Sequence, residues 1–213
     1  MANTALVAGA TGLIGQFLVK RLLNSGVYDR IKVLVRRPLN IEDSRIETLI
    51  TDYSDLSSLN LRADHVYCCL GTTLKTAGSR AAFERVDYGM VLDLARAAHA
   101  QGAKQFLVVS AAGTADHSPS FYSRVKAKME HDVSALDFEA VHILRPSLLI
   151  GKREESRPAE HLSQLFMPLF TPLLQGPLKK YRAVKGEDVA EAMLQLALRD
   201  QRGVHIHHLP LDA

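Results

Sequence analysis

Short apolar runs alternate with longer amphipathic segments along most of this chain, and this alternation limits the possible folds more than any other feature. The runs are too short and too apolar for surface helices, and they have the composition of buried parallel strands. We predict strands at residues 4–10, 31–36, 45–50, 65–71, 105–111 and 141–147, with a further short strand near 204–209. Helical periodicity occupies residues 13–26, 79–102, 118–137 and 186–200. Strands that alternate with helices pair in parallel through right-handed crossovers, so we expect an α/β fold, a doubly wound parallel sheet of the Rossmann type.

The first predicted strand runs directly into the sequence GATGLIG, in which glycines recur every three residues. In a strand-to-helix turn, Gly9 permits the tight turn, Gly12 lets the backbone approach a pyrophosphate, and Gly15 lets the helix pack closely on the strand. The helix then offers free N–H groups and the positive end of its dipole to the phosphates. Because the turn follows a strand and opens an amphipathic helix, we prefer a dinucleotide-binding turn to an ordinary glycine turn. Its predicted cofactor-binding residues are Gly9, Thr11, Gly12, Leu13, Ile14 and Gly15.

The residues after the second strand suggest which dinucleotide is bound. A site that prefers NAD places Asp or Glu there for the ribose hydroxyls, whereas this chain has Arg36 and Arg37. A guanidinium binds a 2′-phosphate bidentately and stacks on adenine, so the sequence favours NADP(H). The alternative is that both arginines are ordinary surface charges after a strand.

A tyrosine precedes a lysine by four residues at three places in the chain: Tyr28/Lys32, Tyr122/Lys126 and Tyr181/Lys185. Only the second pair lies on a predicted helix, where residues four apart are neighbours. That helix follows a strand that ends at Ser110. Ligands of doubly wound sheets bind outside the carboxyl ends of the strands, so Ser110 and the start of this helix are expected to meet there.

The motifs GATGLIG, VSAAG with Ser110, and Tyr122-x-x-x-Lys126 resemble the short-chain dehydrogenase/reductase superfamily. The stretches VYCCLGTTLKTAG, FERVDYGMVLDLA and RPSLLIGKREESRPAE are similar to the Tat-interacting, oxidoreductase-like proteins of its atypical branch, and this resemblance covers nearly the whole chain. It implies that Tyr122 is the general acid/base and that Ser110 holds the substrate oxygen. It also implies that Lys126 favours the phenolate and hydrogen-bonds the nicotinamide ribose. The alternative for Ser110 and Tyr122 is a strand-end serine and a half-buried aromatic.

The resemblance carries over to several further positions. It implies that Asp52 contacts the adenine amine, that the backbone at the end of the fourth strand passes beside the cofactor, and that the residues from Pro146 to Leu148 flank the nicotinamide amide. The fourth-strand residues are Leu70, Gly71 and Thr72. Where many relatives have an active-site asparagine, this chain has Asp87. That change either alters the proton relay or marks a helix-packing or capping residue.

The chain is expected to form one NAD(P)-binding domain over residues 1–213, because 47% of its residues are hydrophobic and single α/β domains often reach this length. The alternation of runs stops after residue 151, and we interpret residues 152–185 as a small C-terminal substrate lid. Its proline-interrupted apolar segment, 161–176, is expected to line an apolar substrate pocket. The alternative is a surface that touches a membrane or a partner protein.

The charge and the cysteine content limit which compartment and which classes of partner are expected. The net charge is +3 with acidic and basic residues interspersed, so no nucleic-acid partner is expected. Cys68 and Cys69 are adjacent and point to opposite faces of a strand, which favours a reducing compartment. The N-terminus has the pattern of a first strand rather than a signal peptide, and no apolar run approaches the roughly 20 residues of a membrane span. We expect a cytoplasmic protein with no membrane contact.

His205 and His207 share one face of the last predicted strand, but no cluster of carboxylates or cysteines accompanies them. We therefore predict a solvated chain end there and no metal site.

The sequence as a whole predicts an NADP(H)-dependent oxidoreductase acting on a small carbonyl or alcohol. The first rival hypothesis is a non-catalytic NADP(H)-binding sensor or scaffold with a protein partner. The second is a peripheral membrane or quinone-associated protein that uses residues 161–176.

Overall fold

The structure, a computed structural model, describes residues 3–39, 41–150 and 183–210. The strands in this part of the chain are β1 (Thr4–Ala8), β2 (Arg30–Val35), β3 (Ile46–Ile50), β4 (His65–Cys68), β5 (Gln105–Val109), β6 (Ala140–Arg145), β7 (Leu149–Ile150), β8 (Val184–Lys185) and β9 (Gly203–His208). The helices are α1 (Gly15–Asn24), α2 (Leu74–Ala77), α3 (Arg80–Glu84), α4 (Met90–Ala100), α5 (Phe121–Ser134) and α6 (Gly186–Ala197), and a π-helical turn (Arg85–Gly89) joins α3 to α4. None of these described helices is both long and apolar enough to cross a bilayer.

Seven of the described strands form one parallel sheet in the order β3-β2-β1-β4-β5-β6-β9. The chain winds outward from β1 to β3, then returns to the other side of β1 and winds outward again from β4. The strand order therefore reverses between β1 and β4, and the crevice outside their carboxyl ends is where doubly wound sheets bind ligands. The α/β, Rossmann-type prediction is confirmed.

Each face of the sheet is covered by one apolar layer. One layer joins Val7, Val33 and Leu107 to side chains of α1 and α6. The other joins Leu6, Phe106 and Ile143 to α4 and α5. The near-continuous burial of β1, β2 and β5 follows from this double coverage, and it explains why the strands appear in the sequence as unbroken apolar runs.

The predicted helix over 79–102 is interrupted in the structure. It begins as α3, passes through the π-helical turn and continues as α4. Ser79 caps α3 by accepting from the Ala82 N–H, and Asp87 lies inside the π-helical turn. Single π-helical turns are common at functional sites.

The lid proposed over 152–185 lies outside the described residues, apart from 183–185. Of those three, Val184 and Lys185 form β8, which pairs in parallel with β7 in a separate two-stranded sheet. The apolar segment 161–176 lies wholly outside the described part.

The short strand predicted near 204–209 is present, and its residues are exposed except for His205 and His207, which are only partly solvated. Residues Gly203–His208 form β9, which pairs in parallel with β6. His205 and His207 stack on His142 with ring centroids 5.3 Å from it in each case, and His142 Nδ1 lies 3.0 Å from His207 Nε2. The stacking was missed because the partner, His142, is 65 residues away in the sequence and adjacent only through the sheet register.

Burial of this histidine cluster makes the fold sensitive to acid. Burial lowers the pKa of His142 and of His207 to about 4, while a histidine in the unfolded chain titrates near 6.5. Between these values the unfolded chain binds more protons than the folded one, so the free energy of unfolding falls as the pH drops from about 6.5 to about 4.

We expect His142→Phe to reduce this acid sensitivity, because it removes the fully buried one of the two imidazoles whose pKa is lowered. The measurement is urea unfolding at pH 7 and at pH 5, comparing the loss of unfolding free energy in each protein. His117→Asn is the control, since His117 is exposed and its removal should leave the loss unchanged. An undiminished loss in His142→Phe would contradict the assignment.

Candidate functional site

The glycine turn lies at the carboxyl end of β1, beside the point where the strand order reverses. Gly9 has a φ of +80°, a conformation that side-chain-bearing residues rarely adopt. A Cβ at Gly9 would lie 2.6 Å from the Cys69 carbonyl oxygen, and one at Gly15 would lie 2.1 Å from the Gly9 carbonyl oxygen. The missing side chains therefore let α1 and the end of β4 close onto the turn.

The turn fits a phosphate-bearing ligand. Gly12 is exposed, and α1 begins at Gly15 with Ile14 as its N-cap. Within the described residues no side chain caps this helix, and its first turn carries no acidic residue. The Gly12 and Gln16 N–H groups donate to the Gly9 and Gly12 carbonyls, and the positive end of the α1 dipole, which no side chain caps, favours an anion at this turn. Thr11 is exposed beside them, while Leu13 and Ile14 are buried.

Arg36 and Arg37 lie directly after β2, both exposed to solvent. Tyr53 packs beneath this point with its hydroxyl donating to the Leu34 carbonyl at 3.4 Å. Burial, followed by Cys68, raises the pKa of Tyr53, and the charge of Arg36 acts in the opposite direction. Tyr53 has a φ of +66°, the one positive value among described residues other than glycine, and sequence patterns give no sign of it.

Asp52 is exposed after β3, and its carboxylate accepts from the Ser54 N–H at 2.9 Å. That hydrogen bond lowers the pKa of the Asp52 carboxyl. Its proposed contact with an adenine amine stays a prediction.

Lys126 forms a buried ion pair that the sequence did not predict. Its Nζ lies 2.7 Å from Asp87 Oδ1, and the two residues are 3% and 1% exposed. The second oxygen, Asp87 Oδ2, accepts from the Thr72 N–H at 2.7 Å. Burial opposes the charge on Lys126, but Asp87 and then Tyr122 outweigh it, so the pKa of Lys126 is raised. The end of β4, the π-helical turn and α5 therefore meet at one buried charge pair.

Gly71 and Leu70 complete this part of the site. A Cβ at Gly71 would lie 3.5 Å from Asp87 Oδ1 and 4.0 Å from Lys126 Nζ, so the backbone after β4 passes directly beside the ion pair. Leu70 packs against the core layer that α4 and α5 cover. The predicted residues Leu70, Gly71 and Thr72 are therefore brought together with Lys126.

Tyr122 lies one helical turn before Lys126 on α5, near the helix start. Its ring packs against Phe83, with centroids 5.4 Å apart. Burial raises the pKa of the Tyr122 phenol, Lys126 lowers it and Asp87 raises it. The phenol therefore carries its proton at neutral pH and can act as an acid toward a substrate oxygen.

Ser110 follows β5 directly and is 5% exposed. Its hydroxyl donates to the carboxylate of Glu130 on α5, and Arg145 at the end of β6 holds that carboxylate through Nε at 3.0 Å and through its second guanidinium nitrogen. A serine that donates to a carboxylate presents its lone pairs to other groups. In this arrangement Ser110 is an acceptor, suited to a substrate O–H.

Glu130 and Arg145 are the site residues that sequence reasoning missed. A usable signal was present, because Tyr122, Lys126 and Glu130 are spaced four residues apart and so share one face of α5. Polar and charged side chains on the buried face of a helix indicate hydrogen-bond or ion-pair partners on the neighbouring elements. Which partners they are, Ser110 and Arg145, depends on the sheet order.

The loops after β5 and β6 are joined beyond the strand ends. The Ser110 N–H donates to the Leu144 carbonyl at 2.7 Å, and the Ala112 N–H donates to the Pro146 carbonyl at 2.8 Å. Leu148 accepts from the Val184 N–H at 2.9 Å, which links this loop to β8. Pro146 and Leu148 thus lie at the carboxyl edge of the sheet, and their contact with a nicotinamide stays a prediction.

Solved structures similar to this chain share its fold. One is MoeE5 in complex with UDP-glucose and NAD, with a TM-score of 0.72, 23% sequence identity, and coverage of 96% of this chain and 75% of that one. Another is a UDP-glucuronic acid 4-epimerase from Bacillus cereus, with a TM-score of 0.71, 18% identity, and coverage of 96% and 76%.

Curated relatives are more similar in sequence. The "Protein fmp52-1, mitochondrial" of Aspergillus oryzae is 33% identical over 211 residues, covering 95% of this chain and 89% of its own length. The "Protein FMP52, mitochondrial" of Meyerozyma guilliermondii is 37% identical over 156 residues, covering 71% and 67%. These relatives are named as mitochondrial proteins, which contradicts the expectation of a cytoplasmic protein. Composition and the absence of a signal-peptide pattern were too weak a basis for that expectation.

A family model matches residues 5–209, nearly the whole chain. The match extends from β1 through the glycine turn and the ion-paired helix α5 to the residues after β9. It agrees with the resemblance to short-chain dehydrogenases/reductases, and it supports a nicotinamide dinucleotide as the cofactor class. The chain belongs to the NAD-dependent epimerase/dehydratase family.

Proposed function

We propose that this protein is an NADP(H)-dependent oxidoreductase that interconverts a small carbonyl compound and its alcohol. The observation that carries the proposal is the arrangement on α5, where Tyr122 lies one turn from a buried lysine whose ammonium lies beside the backbone that follows β4. A scaffold that only senses the cofactor would need the glycine turn but not a proton-carrying phenol beside a buried ammonium.

Each group has a definite task in this proposal. The bound cofactor supplies or accepts the hydride. Tyr122 exchanges the proton with the substrate oxygen, and Lys126 stabilises the phenolate that forms. Ser110, whose own proton is donated to Glu130, accepts a hydrogen bond from the hydroxyl of the alcohol form of the substrate. The glycine turn and the start of α1 bind the pyrophosphate.

Arg36 and Arg37 support the choice of NADP(H). Both guanidinium groups are exposed directly after β2, where a doubly wound site holds the adenosine ribose. An anionic 2′-phosphate would gain charge-assisted hydrogen bonds there.

Tyr122→Phe is expected to lower turnover by roughly 10²- to 10⁴-fold, because it removes the proton donor and keeps the ring packed on Phe83. NADPH binding should stay within about twofold of the parent, since only the hydroxyl is lost. The assay is oxidation of NADPH in the presence of aldehydes, ketones and quinones, with binding measured by calorimetry. Tyr88→Phe is the matched control, because the Tyr88 hydroxyl donates to Asp132 and has no part in the proposed chemistry.

Two outcomes would contradict this assignment. Parent-like turnover in Tyr122→Phe would remove Tyr122 from the chemistry. Tight NADPH binding by a parent protein that turns over no substrate would favour the non-catalytic sensor.

Arg36→Ala and Arg37→Ala are each expected to weaken NADPH binding by about tenfold or more and to leave NADH binding unchanged, since a charged hydrogen bond contributes roughly 1.5–3 kcal/mol. Calorimetric titration with each dinucleotide measures the effect. Arg202→Ala is the control, because Arg202 is exposed before β9 at the opposite edge of the sheet. An NADPH-to-NADH preference that survives both substitutions would exclude these arginines as its source.

A further inference from the structure

Asp87 holds the buried lysine in a manner that requires an ionised carboxylate. Both of its oxygens accept hydrogen bonds, one from the Lys126 ammonium at 2.7 Å and one from the Thr72 N–H at 2.7 Å. The carboxylate is 1% exposed, so water does not compete for these positions. A neutral acid would place its own proton against one of the two donors.

The charge of the site follows from these contacts. With Asp87 ionised, Lys126 protonated and Tyr122 neutral, the three groups sum to zero. Loss of one proton from Tyr122 or Lys126 leaves a net negative charge in a buried site, which is unfavourable. The two groups interact, so this first proton loss belongs to the pair rather than to either residue.

Other titratable groups around the pair do not alter this sum. Cys68 faces it from β4, and burial raises the pKa of that thiol to about 12, so it stays neutral. Glu130, one turn further along α5, is balanced by Arg145 from β6. The π-helical turn contributes Asp87 itself, and the backbone after β4 contributes the uncharged Gly71 and Thr72.

We propose that Asp87 is a positioning residue that keeps a proton on the Tyr122–Lys126 pair, so that at neutral pH the site is poised to reduce carbonyl compounds rather than to oxidise alcohols. This rests on the proposed function. The carbonyl carbon gains a hydride from NADPH, the C=O π bond becomes a C–O single bond, and the oxygen takes the Tyr122 proton. The resulting phenolate regains a proton from solvent. Alcohol oxidation needs the deprotonated pair and becomes competent only at higher pH.

The test uses NMR titration of the full chain labelled with ¹³Cζ-tyrosine and ¹³Cε-lysine, with Tyr122→Phe used to assign the Tyr122 signal. In the parent protein Tyr122 should keep its proton to a higher pH than a tyrosine in water, because burial raises its pKa. In Asp87→Asn the pKa of the first proton loss should fall by at least about one pH unit, because the protonated site then carries a net positive charge. This holds whether the proton leaves Tyr122 or Lys126.

Asp132→Asn is the matched control. It removes one carboxylate from α5, the helix that carries Tyr122 and Lys126. Asp132 pairs with Tyr88 and His131 and not with Lys126, so the Tyr122 titration should not move. Thermal unfolding of both variants checks that each is folded. Should Asp87→Asn fail to fold, the parent titration decides alone: loss of the Tyr122 proton at or below the pH at which a tyrosine in water loses it would overturn the proposal.

The kinetic arm measures the pH dependence of carbonyl reduction and of alcohol oxidation. In Asp87→Asn the fall of the reductive rate and the rise of the oxidative rate should both shift to lower pH by the amount seen in the NMR titration. An unshifted titration, or a shifted titration with unchanged pH–rate profiles, would overturn the role of Asp87. Failure of the proposed function has a different signature, namely a parent protein without turnover whose NMR titration still responds to Asp87→Asn.

Discussion

The close approach of backbone segments around Gly9 is the constraint on which the rest of the structure depends. The start of α1 approaches the Gly9 carbonyl at Gly15. The Cys69 carbonyl, after β4, approaches the Cα of Gly9, and α6 approaches Leu13 at Gly186. A Cβ at Gly186 would lie 2.8 Å from the Leu13 carbonyl oxygen. Because these contacts involve backbone, a side chain could not be accommodated by rotation alone. The central strand β1, helix α1 and helix α6 are thereby held at one point.

Two buried charge pairs then fix α5 against the sheet. Lys126 is tied to the π-helical turn through Asp87, and Glu130 is tied to β6 through Arg145. Removing one partner of a buried pair costs about 3–5 kcal/mol, because the remaining charge is left without compensation. The same contacts that orient the proposed chemistry therefore also stabilise the packing of α5. Tyr122 lies at the exposed end of this stripe, where a substrate could reach it.

The contacts that sequence reasoning missed within the fold share one physical cause. His205 and His207 were predicted to be solvated because the residue that stacks on them, His142, lies on a strand that is distant in the sequence. The Asp87 substitution was noticed, but its partner was not, since the pairing runs between the π-helical turn and α5. Ser110 was placed correctly at the end of a strand, yet its acceptor, Glu130, becomes adjacent only when α5 packs on β5 and β6.

The sequence by itself determined the order of strands and helices, the glycine turn and the helical spacing of Tyr122 and Lys126, because these depend on local backbone preference and on periodic burial. It also indicated family membership, since the motifs are contiguous in the chain. Only the tertiary structure decided which buried charges pair and to which group the Ser110 hydroxyl donates its proton. Those facts depend on the sheet order and on how α5 lies across it. Side chains far apart in sequence, such as Asp87 and Lys126, are brought within 2.7 Å by packing that no local pattern encodes.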